Sequence, residues 1–222
     1  DLHYPLRRQR QMCIRDRLTC DHIICKNWLD HKGLGGKSDV FTVYDFATSE
    51  LWGIPVTMLD TWDTVEALQF IAGDQSLHVV YADRSDAIDK AVKYLHGMRK
   101  KPQPGDSQSN GVIESLNRRL QEGTRASLIQ AGLPICWWSY AVQHWCFLRN
   151  IAPDTTGVSP YFKRHGENCT AVSLPLGLGV CYYPNKTKYK HQHKFQSRLC
   201  YGVVVGYGLN LGHTCLLYTS PS

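Results

Sequence analysis

Gln108-Ser109-Asn110-Gly111-Val112-Ile113-Glu114-Ser115-Leu116-Asn117-Arg118-Arg119-Leu120 is the stretch on which the fold and the candidate site turn. Val112, Leu116 and Leu120 recur at helical spacing and predict a buried stripe. Glu114, Arg118, Gln121 and Arg125 recur at i, i+4, i+7 and i+11 and predict the opposite, polar side. The helix is expected over residues 111–131, after a loop over 98–110 that contains Pro102, Pro104 and Gly105. It thus carries a carboxylate on its first turn, beside basic and amide groups that suit a phosphodiester.

Upstream, Leu18 to Lys26 reads as a strand buried on both faces that carries Asp21. Val40 to Phe46 and Leu51 to Val56 form a hairpin around Ala47-Thr48-Ser49-Glu50. Thr61 to Ala72 has Trp62, Val65, Leu68 and Ile71 on one helical face, with Gly73 just past its end. Leu77 to Ala82 is a β-branched strand with Asp83 at its tip. The next helix is capped by Ser85 or Asp86, buries Ile88, Ala91, Val92 and Leu95, and stops at Gly97.

Downstream of the quoted stretch, Pro134 opens a helix to about Arg149 whose Trp137, Trp138, Tyr140, Trp145 and Phe147 are read as core. Residues 150–166 read as loop and turn, and 171–207 as a small β appendage. Strands alternating with crossover helices imply an α/β sandwich around a mixed sheet.

Hydrophobic residues make up 43% and charged residues 20%, which suits a globular domain with one good-sized core. No apolar run reaches the roughly 18 residues of a membrane span, and the start of the chain has no signal-peptide pattern. Nine cysteines without a C-x-x-C pair fit neither a zinc cassette nor a disulfide framework, and imply reduced intracellular thiols. The net charge of +6 is unevenly spread: Arg99, Lys100 and Lys101 precede the quoted helix, and Lys186, Lys188, Lys190, Lys194 and Arg198 interleave with aromatic and His residues. Such runs suit a polyanion, because neutralised phosphates release counterions. Residues 1–17 and 214–222 resemble translated adapter peptides and are set apart from the fold, leaving 18–166 as a core domain and 167–213 as a β-rich extension.

Three acids on separate elements, Asp21, Asp83 and Glu114, form a minimal set for two divalent cations. Mg²⁺ takes oxygen ligands and needs one or two carboxylates per ion. Two ions roughly 3.5–4 Å apart serve the attacking and leaving oxygens of a phosphoryl displacement. Each acid also has a plainer reading: Glu114 in an ion pair with Arg118, Asp83 as a turn or cap residue, and Asp21 paired with His22 or a lysine.

Together these motifs resemble the integrase catalytic core of retroviral and retrotransposon Pol polyproteins, most closely the copia type. That family places a strand-borne Asp before a hairpin, a strand ending Y-S-D-N, and then P-x-x-N-G-x-x-E-R-x-N-R. Here the corresponding residues are Asp21, Tyr44-Asp45-Phe46-Ala47-Thr48, Tyr81-Ala82-Asp83-Arg84, and Pro104 through Arg118 with Asn110-Gly111 and Glu114 in place. Ala131-Gly132-Leu133-Pro134, Trp137-Trp138 and Ser159-Pro160-Tyr161 continue the likeness, which covers about 18–208. Arg84, Ser115 and Ser107-Gln108 depart from the family pattern.

The resemblance implies an RNase H-like fold with a mixed central sheet flanked by helices and a small C-terminal β appendage. It also implies two Mg²⁺ or Mn²⁺ ions held by Asp21, Asp83 and Glu114, and polynucleotidyl transfer: DNA 3′-end processing followed by strand transfer. The implied partners are the element's DNA ends, target DNA and further copies of the chain, in cytoplasm and nucleus, with no membrane. The expected nucleic-acid contacts are Lys100, Lys101, Asn110, Asn117, Arg118, Gln121, Arg125, Lys188 and Lys190. Two other functions fit the same motifs: a catalytically decayed relic that keeps nucleic-acid binding, and an RNase H-like nuclease or transposase that only hydrolyses.

Overall fold

The computed structural model describes residues 17–25, 32–73, 76–83, 85–100, 107–183, 199–208 and 215–218, with backbone only at 107–110, 215 and 218. Three strands come first: β1 (Arg17–Ile24), β2 (Asp39–Asp45) and β3 (Leu51–Val56). Then α1 (Thr61–Ala72), β4 (Val79–Ala82), α2 (Asp86–Tyr94) and β5 (Met98–Lys100) alternate. The long helix α3 (Ser107–Ala131) leads through a 3₁₀ turn (Ile135–Trp137) to α4 (Trp138–Ile151) and α5 (Pro160–His165). Strands β6 (Gly179–Tyr182), β7 (Cys200–Tyr207) and β8 (Cys215–Tyr218) follow.

The main sheet has the order β3-β2-β1-β4-β5. The pairs β1–β2 and β2–β3 are antiparallel, whereas β1–β4 and β4–β5 are parallel. This is the expected mixed central sheet, flanked by helices. Its pleat sends alternate residues to opposite cores. Leu18, Cys20, Phe41 and Val43 meet Val65, Leu68 and Ile71 of α1 and Ile88 and Val92 of α2. Ile23, Val40 and Leu51 meet Leu116, Leu120 and Leu128 of α3 and Trp138, Val142 and Cys146 of α4. Asp21 shares the face of Ile23 by the same alternation, and so points toward α3.

Local chemistry sets most of the boundaries. In the β2–β3 turn, Asp45 accepts from the Ala47 N–H and the Thr48 hydroxyl, both at 2.9 Å. Asp60 caps α1 by accepting from the Asp63 N–H at 2.8 Å, and Gly73 closes it at φ 56°. Ser85 caps α2 through the Ile88 N–H.

The structure revises several expectations. Residues 98–100, expected in a loop, form β5; three residues carry no readable periodicity, and pairing with β4 alone makes them a strand. Helix α3 begins at Ser107 rather than Gly111. A short helix, α5, stands where only loop was expected; Ser159 caps it, Pro160 sits in its first turn, and Gly166 ends it in the left-handed region at φ 77°. Trp62, expected on the buried face of α1, is 62% exposed and meets Tyr94 edge-on instead. The β appendage is a three-stranded antiparallel sheet, β6-β7-β8, and residues 215–218, set apart from the fold on sequence, supply its third strand.

Candidate functional site

The parallel register of β1 and β4 brings the first two acids together. Cys20 pairs with Ala82 at the end of that ladder. The next residue on each strand is an aspartate, so Asp21 and Asp83 stand side by side past the last pair. Cys20 and Ala82 belong to the core under α1 and α2. Alternation therefore turns the following residue toward α3.

Helix α3 closes the arrangement from above the sheet. Asn117 is 8% exposed, and its Nδ2 donates to Asp21 Oδ2 at 2.8 Å. The other oxygen, Asp21 Oδ1, accepts from the backbone N–H of His22 at 2.8 Å. Glu114 lies three residues before Asn117, on the same strip of the helix and one turn nearer its start, with its side chain exposed.

Burial pushes the Asp21 carboxyl above the usual carboxylate range, against the lowering effect of the His22 N–H. The negative charges of Asp83 and Glu114 push it the same way as burial, while Asn117 opposes them. Asp21 therefore feels both other acids. Among the described residues, however, no three His, Cys, Asp or Glu side chains are gathered closely enough to hold a metal ion together. Like charges oppose a closer approach. The donor set suits a hard cation, since carboxylates line this face while Cys20 is buried in the opposite core.

The plainer readings of the acids resolve individually. Ser85, not Asp83, caps α2. Asp21 pairs with His22 only through the backbone, and its side-chain partner is an amide rather than a lysine. Glu114 and Arg118 form no ion pair among the described residues.

Of the expected nucleic-acid contacts, Arg118, Gln121 and Arg125 form an exposed strip along α3, and Lys100 is exposed at the end of β5. Asn117 is turned inward to Asp21 rather than outward to a phosphodiester, because its helical position falls on the border of the buried stripe. The side chain of Asn110 and residues Lys101, Lys188 and Lys190 lie outside the described residues, as does Arg84. Arg99, read as part of a basic run facing a polyanion, is instead inward: it pairs with Asp89 of α2, and its side chain is 10% exposed.

Two roles escaped sequence reading. The spacing of Asn117 three residues after Glu114 was a usable sign that it belongs to the acid cluster. Nothing in the run Arg99-Lys100-Lys101 distinguishes the first residue from the others; only the sheet does so.

No protein-family model matches the chain. A retrovirus-related Pol polyprotein from transposon TNT 1-94 of Nicotiana tabacum is 46% identical over 158 residues, which make up 66% of this chain. Over those residues the chain is similar to a retrotransposon Pol polyprotein. It spans about 11% of that polyprotein's length. The integrase-core resemblance carried by the motifs is thus matched by a Pol polyprotein at the level of sequence. Among solved structures, the catalytic core domain of BIV integrase overlays with a TM-score of 0.49 at 14% identity, covering 66% of this chain and 91% of that one. No helix among the described residues of this chain is long and apolar enough to cross a membrane.

Proposed function

We propose that this chain is the catalytic core of a retrotransposon-type integrase, a polynucleotidyl transferase that processes DNA 3′ ends and joins them to target DNA. The observation that carries the reading is the β1–β4 register, which sets Asp21 beside Asp83 under the helix that bears Glu114. These three carboxylates would hold two Mg²⁺ or Mn²⁺ ions. Bound there, the ions supply activation of the attacking oxygen and stabilisation of the leaving one.

The chain's own residues do the remaining work. Asn117 and the His22 N–H each hold one oxygen of Asp21, fixing the direction of its remaining lone pairs. Arg118, Gln121 and Arg125 offer an exposed strip of donors that would grip the phosphate backbone beside Glu114, and Lys100 extends it. Joining two element ends to one target calls for more than one copy, acting where chromosomal DNA is accessible.

The test is Mn²⁺-dependent nicking and joining of labelled DNA duplex ends by the purified chain. Glu114→Gln is expected to lower activity by at least about a thousandfold, the scale on which loss of an essential charge-stabilising group is felt. Metal-dependent activity that survives the substitution would sink the reading. Cleavage without joining would favour a hydrolytic nuclease or transposase of the same fold.

A second reading is favoured by the spacing of the acids, which are not gathered within shared-ligand reach. On this reading the chain is a relic that binds nucleic acid without catalysis. It would show salt-sensitive DNA binding and no Mn²⁺-dependent rise in melting temperature. A rise that requires Asp83 would count against it.

A further inference from the structure

We propose that Arg99 is the positioning residue for Asp83, holding the C-terminal tip of β4 by its backbone and thereby setting where the Asp83 carboxylate stands. The functional part of this inference rests on the reading of Asp83 as a metal ligand; the positional part does not.

The β4–β5 ladder runs Val79↔Met98, Val80↔Arg99 and Tyr81↔Lys100, and stops there. On this side Ala82 and Asp83 lie past the last pair, yet β4 must continue in a defined direction if Asp83 is to face Asp21. The Arg99 side chain takes over where the ladder ends. Its Nη2 donates to the Asp83 carbonyl at 2.6 Å and to the Ala82 carbonyl at 3.3 Å.

The other side of the guanidinium pairs with Asp89 on α2. One buried cation thus joins β5, the tip of β4 and the helix that follows that tip. A planar guanidinium can turn Nη2 to two carbonyls while Nη1 faces a carboxylate; a lysine ammonium on a flexible stem can reach the carbonyls but not both sides at once.

Amide hydrogen exchange of the whole chain, resolved by peptide, tests the inference without metal. In Arg99→Gln, peptides spanning 80–86 are expected to exchange about tenfold faster, the factor that loss of roughly one charge-assisted hydrogen bond produces. Peptides of β2 and β3 should be unchanged, and Arg99→Lys should restore part of the protection. If the single variant fails to fold because Asp89 is left uncompensated, Asp89→Asn/Arg99→Gln removes both charges and should show the same loosened tip. Unchanged exchange over 80–86 in a folded Gln variant overturns the proposal.

Repeating the series with Mn²⁺ separates the two layers. If Asp83 binds metal, the Mn²⁺ concentration giving half of the thermal stabilisation should rise about tenfold in Arg99→Gln, and an unshifted value overturns the functional role. If the unaltered chain shows no response to Mn²⁺, the metal reading fails and the functional role fails with it. The exchange result still decides what Arg99 does to the tip.

Discussion

Asp21 is half-buried, feels the charge of two other acids, and is held by two donors, the His22 N–H and the Asn117 amide. Among the described residues Asn117 Oδ1 has no hydrogen-bond partner, so within them the amide meets Asp21 by its donor end alone. Asn117→Ala should therefore cost about 1–3 kcal/mol at neutral pH, the price of stranding a buried charged acceptor. The sign follows from the proton: losing the donor raises the Asp21 carboxyl further, so the penalty exists where Asp21 is charged and shrinks as pH falls and it protonates. Urea unfolding at pH 7 and pH 4 checks this. An equal penalty at both would assign Asn117 a packing role only.

Among the elements, the contact between α3 and α4 decides where Glu114 and Asn117 sit over the sheet. The two helices meet tightly at Gly123, where an added Cβ would overlap the Trp145 indole. Alanine would improve helix propensity by about 0.8–1 kcal/mol, but forcing the helices apart costs typically about 1–3 kcal/mol. Gly123→Ala is thus expected to destabilise, and Gly123→Ala/Trp145→Leu to recover part of the loss, as read by chemical denaturation. If Gly123→Ala stabilises the protein, the indole moves aside and the contact does not position α3. A similar approach recurs at Gly53 of β3, whose added Cβ would meet Val142 at 2.6 Å and Leu120 at 3.0 Å. Neither glycine has a left-handed φ; what each one provides is room.

Over the whole molecule, the second sheet is not a free appendage. Tyr207 of β7 stacks on Phe147 of α4 at 4.1 Å and on His144 at 5.5 Å, and its hydroxyl donates to the Val172 carbonyl at 2.9 Å. The same hydroxyl accepts from the Leu174 N–H at 2.7 Å, while His144 Nε2 meets the Leu174 carbonyl at 3.0 Å. Burial lowers the His144 pKa, only partly offset by that carbonyl, and burial lowers His22 as well. The unfolded chain then takes up protons that the folded one resists, so stability is lost as pH falls through the ordinary histidine range near about 6.5. Between pH 7.5 and 5.5 the melting temperature should drop more in the unaltered chain than in His144→Gln. Equal drops would place the acid sensitivity elsewhere.

The sequence alone determined the elements whose own side chains write their period: the hairpin of β2 and β3, helices α1 and α2, and the split of α3 into a buried and a polar side. It also singled out Asp21 within an apolar strand, Asp83 at a strand tip, and Glu114 on the polar side of an amphipathic helix. It did not show β5, the short helix α5 or the pairing of residues 215–218, since short elements have too few side chains to show a pattern and exist through their neighbours. Nor did it separate Asn117 and Arg99 from the polar and basic residues around them. Both are polar groups whose partners lie on other elements: Asn117 meets Asp21 across the sheet–helix interface, and Arg99 meets the backbone of a neighbouring strand. Local propensity is a property of adjacent residues, whereas a hydrogen bond between distant segments exists only once the sheet order has brought them together.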